Sequence, residues 1–203
     1  MNFNNKYNQF FCGFLIFSGM VMISGCGTTQ KTDFYQLDEP TNRSLTGVEK
    51  GNIIGLGPIQ LPEYINRPQI ITRNSAHHMN MSEVHRWVEP LNDSIKRMLV
   101  INLSNNLNSN RIYWIPRAER QFPLELRIAI DIGRFDGQLG DKVVLESRWS
   151  IFDKDDQPLL TRVSLVEEPV KGQGYEDLVI AMNRALRALG LEISQAASSF
   201  LTH

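Results

Sequence analysis

The chain has 203 residues, a formal net charge of -1, 42% hydrophobic residues and two cysteines, Cys12 and Cys26. With a near-neutral balance and no basic block interleaved with aromatics, nucleic acid is excluded as the natural partner. Both cysteines lie near the start, which excludes a Cys-ligated metal site, a disulfide framework or a cysteine nucleophile from the body of the chain.

Residues 1–25 read as a lipoprotein-type signal peptide. Lys6 is the only charged side chain before an apolar stretch that runs from Phe10 through Phe11, Phe14, Leu15, Ile16 and Phe17 to Met20, Val21, Met22 and Ile23. That stretch has the length of a signal h-region and falls short of the ~20 apolar residues of a spanning helix. Ile23-Ser24-Gly25-Cys26 has the form of a bacterial lipobox. Small side chains admit the peptidase to the scissile bond, and the thiol accepts diacylglycerol. Cys26 is therefore expected to carry lipid, and two or more acyl chains (palmitate among them) suffice for stable anchoring. An ordinary secretory signal and an uncleaved anchor are the other readings of the same residues. Gly27 stands where an aspartate would signal inner-membrane retention, which points to the periplasmic face of the outer membrane.

Residues 26–50 are rich in Thr, Asp, Asn, Gln and Gly and read as a tether with a mean span on the order of 25–30 Å. Phe34, Tyr35 and Leu37 interrupt it, as a short docking strand or as exposed linker residues. A single domain is expected over 51–203. Ile53, Ile54, Leu56 and Ile59 predict a first strand ended by Pro62, and Gln69–Arg73 a second, continuing through His78 and Met79 after a kink. Pro90 opens a helix on which Leu91, Ile95, Met98, Leu99 and Leu103 share a face, and Asn105, Asn106 and Asn108 end it. Arg111–Ile115 is a further strand, stopped by Pro116.

The next stretch alternates strictly. Leu124, Leu126, Ile128, Ile130 and Ile132 interleave with Glu125, Arg127, Ala129 and Asp131, the pattern of a half-buried strand. Turns at Asp136–Asp141 and Asp153–Pro158 lead into Val143–Phe152 and Leu159–Glu167, giving an antiparallel meander. Glu125, Arg127, Glu146, Arg148 and Arg162 are expected to form cross-strand charge pairs on its polar face. A long final helix over Tyr175–Phe200 carries Leu178, Met182, Ala185, Leu189, Ile193, Ala196 and Phe200 on one stripe. The expected fold is α/β: a layered domain with a mixed, mainly antiparallel sheet packed against two principal helices.

No G-x-S-x-G elbow or H-E-x-x-H helix is present. Gly55-Leu56-Gly57 and Gly172-Gln173-Gly174 are bare G-x-G pairs, better explained as backbone turns than as phosphate cradles. His77, His78, Met79, Met81 and His85 are ligand types, but adjacent residues on a strand point to opposite faces and the spacing fits no dedicated site. Asp153, Asp155 and Asp156 lack the glycine and distal glutamate of a calcium loop. The chain is thus read as non-enzymatic, without cofactor or metal. Ala181, Ala185, Ala188, Ala196 and Ala197 allow either close packing on the sheet or contact between subunits.

One resemblance ties these segments together. A lipobox, then DFYQL, GPIQLPEYINRPQIITR, HRWVEPLNDSIKRMLVINL, DIGRFDG and GYEDLVIAMNRALRALGLEIS occur in an order and spacing similar to the ABC-type transport auxiliary lipoproteins, the PqiC-like family. The resemblance implies an outer-membrane lipoprotein that partners an MCE-domain protein of an inner-membrane-anchored complex moving lipid across the periplasm. It also implies a homo-oligomeric ring. Within DIGRFDG it singles out Arg134, Phe135, Asp136 and Gly137, read structurally as a strand end and turn or functionally as a contact with the partner. Two readings compete with it: a structural envelope lipoprotein that binds peptidoglycan or an assembly machine, and an envelope hydrolase with an unrecognised site.

Overall fold

The structure, a computed structural model, describes residues 30–38, 49–116 and 123–201. Residues 1–25, expected to be a signal peptide, and Cys26 lie outside the described residues. Thr32 is the first residue of the compact unit that runs to His203. Its elements in chain order are β1 (Asp33–Tyr35), β2 (Ile54–Gln60), β3 (Gln69–Arg73), β4 (Met79–Trp87), α1 (Leu91–Leu107), β5 (Ile112–Trp114), β6 (Leu126–Gly137), β7 (Lys142–Phe152), β8 (Pro158–Pro169) and α2 (Tyr175–Ser198).

All eight strands join one mixed sheet centred on β6. Along one edge β6 pairs antiparallel with β7, and β7 pairs antiparallel with β8, in the longest ladders of the fold. Along the other edge β6 is shared. Its first half runs parallel to β2, which carries β5, and its end meets β3 through Thr72 and Gly137. Beyond β3 come antiparallel β4 and then parallel β1. The sheet therefore forks at β6. Helices α1 and α2 pack on each other and on one face of this sheet, as the layered α/β reading expects.

The core follows the sequence periodicities closely. Leu91, Ile95, Met98, Leu99 and Leu103 of α1 are buried, as are Leu178, Met182, Ala185, Leu189 and Ile193 of α2. They meet Leu126, Ile128, Ile130 and Ile132 of β6 and Val143, Leu145, Trp149 and Ile151 of β7 in one cluster. Ala181, Ala185 and Ala197 are consumed inside it, while Phe200 at the end of the stripe is exposed. Gly190 faces Asn102 so closely that a Cβ would stand 2.9 Å from the asparagine Cβ. Small residues here serve the helix–helix contact. Helix α1 ends on Asn108, left-handed with φ 49°, whose N–H returns to the Ser104 carbonyl.

Three expectations need correction. Gln69–Arg73 does not continue through Met79. The chain reverses at 74–78, closed by Asn74 and Ser75 N–H bonds to the His78 carbonyl, and β4 returns antiparallel. Of the two readings of Phe34, Tyr35 and Leu37, the docking strand is the one found, as β1, and Leu37 is fully buried, so sheet and core begin well before the expected boundary at residue 51. The meander's charges do not pair with one another as expected. Arg162 lies opposite Trp149 on the helix-side face, and Arg127 lies over the Phe152 ring, 3.8 Å from its centroid, and bonds Asp156 at 2.6 Å.

Candidate functional site

The fork is built by a bulge. Up to Ile132 the even-numbered residues of β6 face the helices, but the register with β7 shifts between Ile132 and Arg134. A β-bulge inserts one residue and reverses the alternation. Phe135 and Gly137 now face the core, and Arg134 and Asp136 face away from it. Phe135 is 1% exposed, and a Cβ on Gly137 would collide with Leu178 and Val143 at 2.8 Å.

Asp136 is the centre of the arrangement. Its side chain is fully buried, yet three donors converge on it. Arg73 binds it in a fork, Nε to Oδ1 at 2.8 Å and a terminal nitrogen to Oδ2 at 2.9 Å. The Tyr64 hydroxyl donates at 2.7 Å, and Arg134 Nε donates at 3.1 Å. Burial alone would raise the Asp136 pKa. Hydrogen bonds from Arg73 and Tyr64, with the charges of Arg134 and Arg73, outweigh it and hold the carboxyl below its ordinary value. Burial, then the bond to Asp136, pushes the Tyr64 phenol up to about 12. A single carboxylate thus ties the β2–β3 loop, the end of β3 and the end of β6 together. Of the four expected contact residues, only Arg134 reaches the surface, with a third of its side chain exposed.

A second cluster, missed in the sequence, docks the N-terminal segment. Tyr35 of β1 shares a 2.9 Å hydrogen bond with His85 Nδ1, and the His85 ring stacks on Tyr175 at the start of α2 with centroids 3.9 Å apart. Burial, then nearby Asp33, raises the Tyr35 pKa. The Leu37 carbonyl accepts from Arg97 at 2.9 Å, and Arg97 pairs with Glu89 at 2.6 Å. Glu89 also accepts from Ser94 and Gln36, and these bonds, the one from Ser94 foremost, hold its carboxyl below the usual range. The sequence signal was the DFYQL segment itself: aromatic and aliphatic residues too apolar for a free linker.

Beside this cluster lies an open groove of about 350 Å³, bordered by Arg67, Pro68, Trp87, Val88 and Pro90 together with the polar Asn66 and Glu89. Trp87 is buried as the end of β4, just before the helix that Pro90 opens. On the outer face of β1, β3 and β4, Phe34, Met81 and Val88 are 62%, 42% and 56% exposed.

The other motifs resolve into local geometry. His77 and His78 are exposed in the β3–β4 turn, whereas His85 is spent on its aromatic partners. Among the described residues no three His, Cys, Asp or Glu groups assemble a metal site. Asp153 accepts the Asp155 and Gln157 N–H groups at 2.8 Å each, folding the β7–β8 turn. Gly57 has φ 140° against the β5 end, where a Cβ would stand 1.9 Å from the Ile115 carbonyl oxygen. Gly174 precedes α2, and Asp177 accepts its N–H at 3.3 Å. No helix among the described residues is long and apolar enough to cross a membrane.

This chain is similar to the intermembrane transport lipoprotein PqiC of Escherichia coli K12 and of Shigella flexneri. The identity is 22% over 167 residues, covering 81% of this chain and 86% of each relative. Two solved structures share the fold at 16% identity. An uncharacterized protein superimposes with TM-score 0.68 over 83% of this chain and 99% of its own. A Xanthomonas campestris protein gives 0.62, with 83% and 96% covered. The family model of the ABC-type transport auxiliary lipoprotein component matches residues 35–194. This span starts in β1, takes in the Asp136 centre and ends within α2, and the chain belongs to that family.

Proposed function

We propose that this protein is a non-enzymatic, lipid-anchored accessory subunit of an MCE-type intermembrane lipid transport system, held at the periplasmic face of the outer membrane through Cys26. The observation that carries the reading is the family match over residues 35–194, which runs from the last residue of β1 through seven complete strands and α1 into α2. Geometry supports it in two ways. The buried charge centre has its carboxylate fully occupied by donors, the design of a rigid scaffold rather than of a reacting group. The most exposed large apolar side chains among the described residues, Phe34, Val163 and Leu165, lie on strand surfaces, where a docking partner meets them.

In this reading the mature chain begins at the acylated Cys26 and reaches the sheet at Asp33. Seven residues of backbone allow at most about 25 Å. The domain therefore stays close to the membrane that anchors it. Arg134 and the strand end behind it meet the partner, positioned by Asp136 and Phe135. Self-association forms on β8, an edge strand of twelve residues with Val163 and Leu165 62% and 64% exposed.

Affinity purification of full-length protein from native envelopes in mild detergent, with mass spectrometry of the whole eluate, tests this. The expected result is an acylated Cys26 and a co-purifying MCE-domain protein. Recovery with cell-wall components alone would replace the reading with a structural envelope lipoprotein, and an unmodified Cys26 would remove the anchor.

A further inference from the structure

Resting on the lipid-anchor reading, we infer that the outer face of β1, β3 and β4 is itself a membrane-contact surface, seated on the anionic headgroup layer of the bilayer that holds the acyl chains. In a sheet, residues paired across strands share a face and alternate along each strand. Phe34 pairs with Arg86, Arg86 with Gln69, and Ile71 with Met81, so these side chains and Val88 project from one face. The opposite face carries the buried Ile70, Thr72 and Trp87.

Four observations choose the bilayer as the occupant. Phe34, Met81 and Val88 form an exposed apolar group where soluble strands place polar residues. Two guanidiniums accompany them without a carboxylate partner among the described residues. Arg67 reaches only the Met81 sulfur, at 3.6 Å, and Arg86 Nε is buried without a hydrogen bond. Aromatic and aliphatic tips beside two arginines match an interface in which apolar groups enter the acyl boundary and cations meet phosphate. The groove is lined by Arg67, Val88 and Glu89; Arg97 pairs with the Glu89 carboxylate at 2.6 Å, so a headgroup phosphate has a place against Arg67. Finally, Phe34 follows Cys26 by only eight residues, so lipid on that cysteine holds this face within about 30 Å of the acyl chains. A protein partner would need to compete with a surface already held at high local concentration.

The test uses full-length acylated protein reconstituted in phosphatidylethanolamine vesicles that carry nitroxide lipids, with or without about 30 mol% phosphatidylglycerol. Val88→Cys supplies a fluorophore site, because acylation blocks Cys26 and the mature chain has no other thiol. Asp155→Cys, in the exposed β7–β8 turn, is the control. Intact mass confirms acylation first, so failure of the anchor is seen separately from failure of the surface. The expected result is quenching at position 88 roughly threefold or more above position 155, increased by phosphatidylglycerol. In an Arg67→Gln/Arg86→Gln background the phosphatidylglycerol increment disappears while circular dichroism is unchanged. Equal quenching at the two positions in acylated protein would overturn the inference. An increment that survives loss of both arginines would overturn their role.

Discussion

In the meander, β6, β7 and β8 run for 11 or 12 residues and follow one another through short turns, while β1, β3 and β4 run for 3, 5 and 9 residues. The first group is held mainly by continuous backbone ladders and alternate apolar side chains. The second is pinned by side chains: the Asp136 centre at the end of β3, the Tyr35–His85–Tyr175 stack and the Glu89–Arg97 link to Leu37. Long ladders tolerate loss of a single side chain. Short strands joined by a few buried polar contacts do not, because an abandoned partner is left charged and desolvated.

The sharpest break of this comparison is Asp136→Ala. It leaves Arg73 and Arg134 facing a buried void and is expected to cost on the order of 3 kcal/mol, read from denaturant midpoints. Its sign with pH is fixed. A carboxyl held below its unfolded value of ~3.9 contributes stability above that pH, and the contribution is lost as pH falls through the lower folded value. The gap between wild type and the variant should therefore narrow from pH 7 to pH 3. Leu37→Ala follows, at about 2–3 kcal/mol, with faster amide exchange confined to β1 and its β4 neighbours. Tyr64→Phe removes one hydrogen bond to a charged group and should cost about 1.5 kcal/mol. Least disruptive is Leu165→Asp on β8, within about 0.5 kcal/mol of wild type in stability. It is expected to dissociate the self-assembly, as native mass spectrometry would show.

Legibility in the sequence tracks the same division. The strict alternation from Leu124 to Ile132 and the 3.6-residue stripes of both helices named the buried face almost residue by residue. The alternation stopped where the bulge begins, so nothing in it told that Phe135 would turn inward and Asp136 away from the helices. β1 was half legible: Tyr35 and Leu37 pointed to a docking strand, but pairing to a segment fifty residues away leaves no local pattern. The reversal at 74–78 is closed by backbone bonds from Asn74 and Ser75 to the His78 carbonyl, which leave no side-chain pattern to separate a turn from a kink. Arg73, Tyr64 and Asp136 meet across a separation of more than sixty residues, and sequence motifs report such a centre only through its last strand.

The most direct test of the account is site-specific photo-crosslinking in native envelopes from a benzoylphenylalanine at position 134 of the acylated full-length protein. A dominant crosslink to an MCE-domain protein is expected, lost when Asp136→Asn loosens the strand end behind it. A crosslink to peptidoglycan-associated proteins, or none beyond lipid, would contradict it.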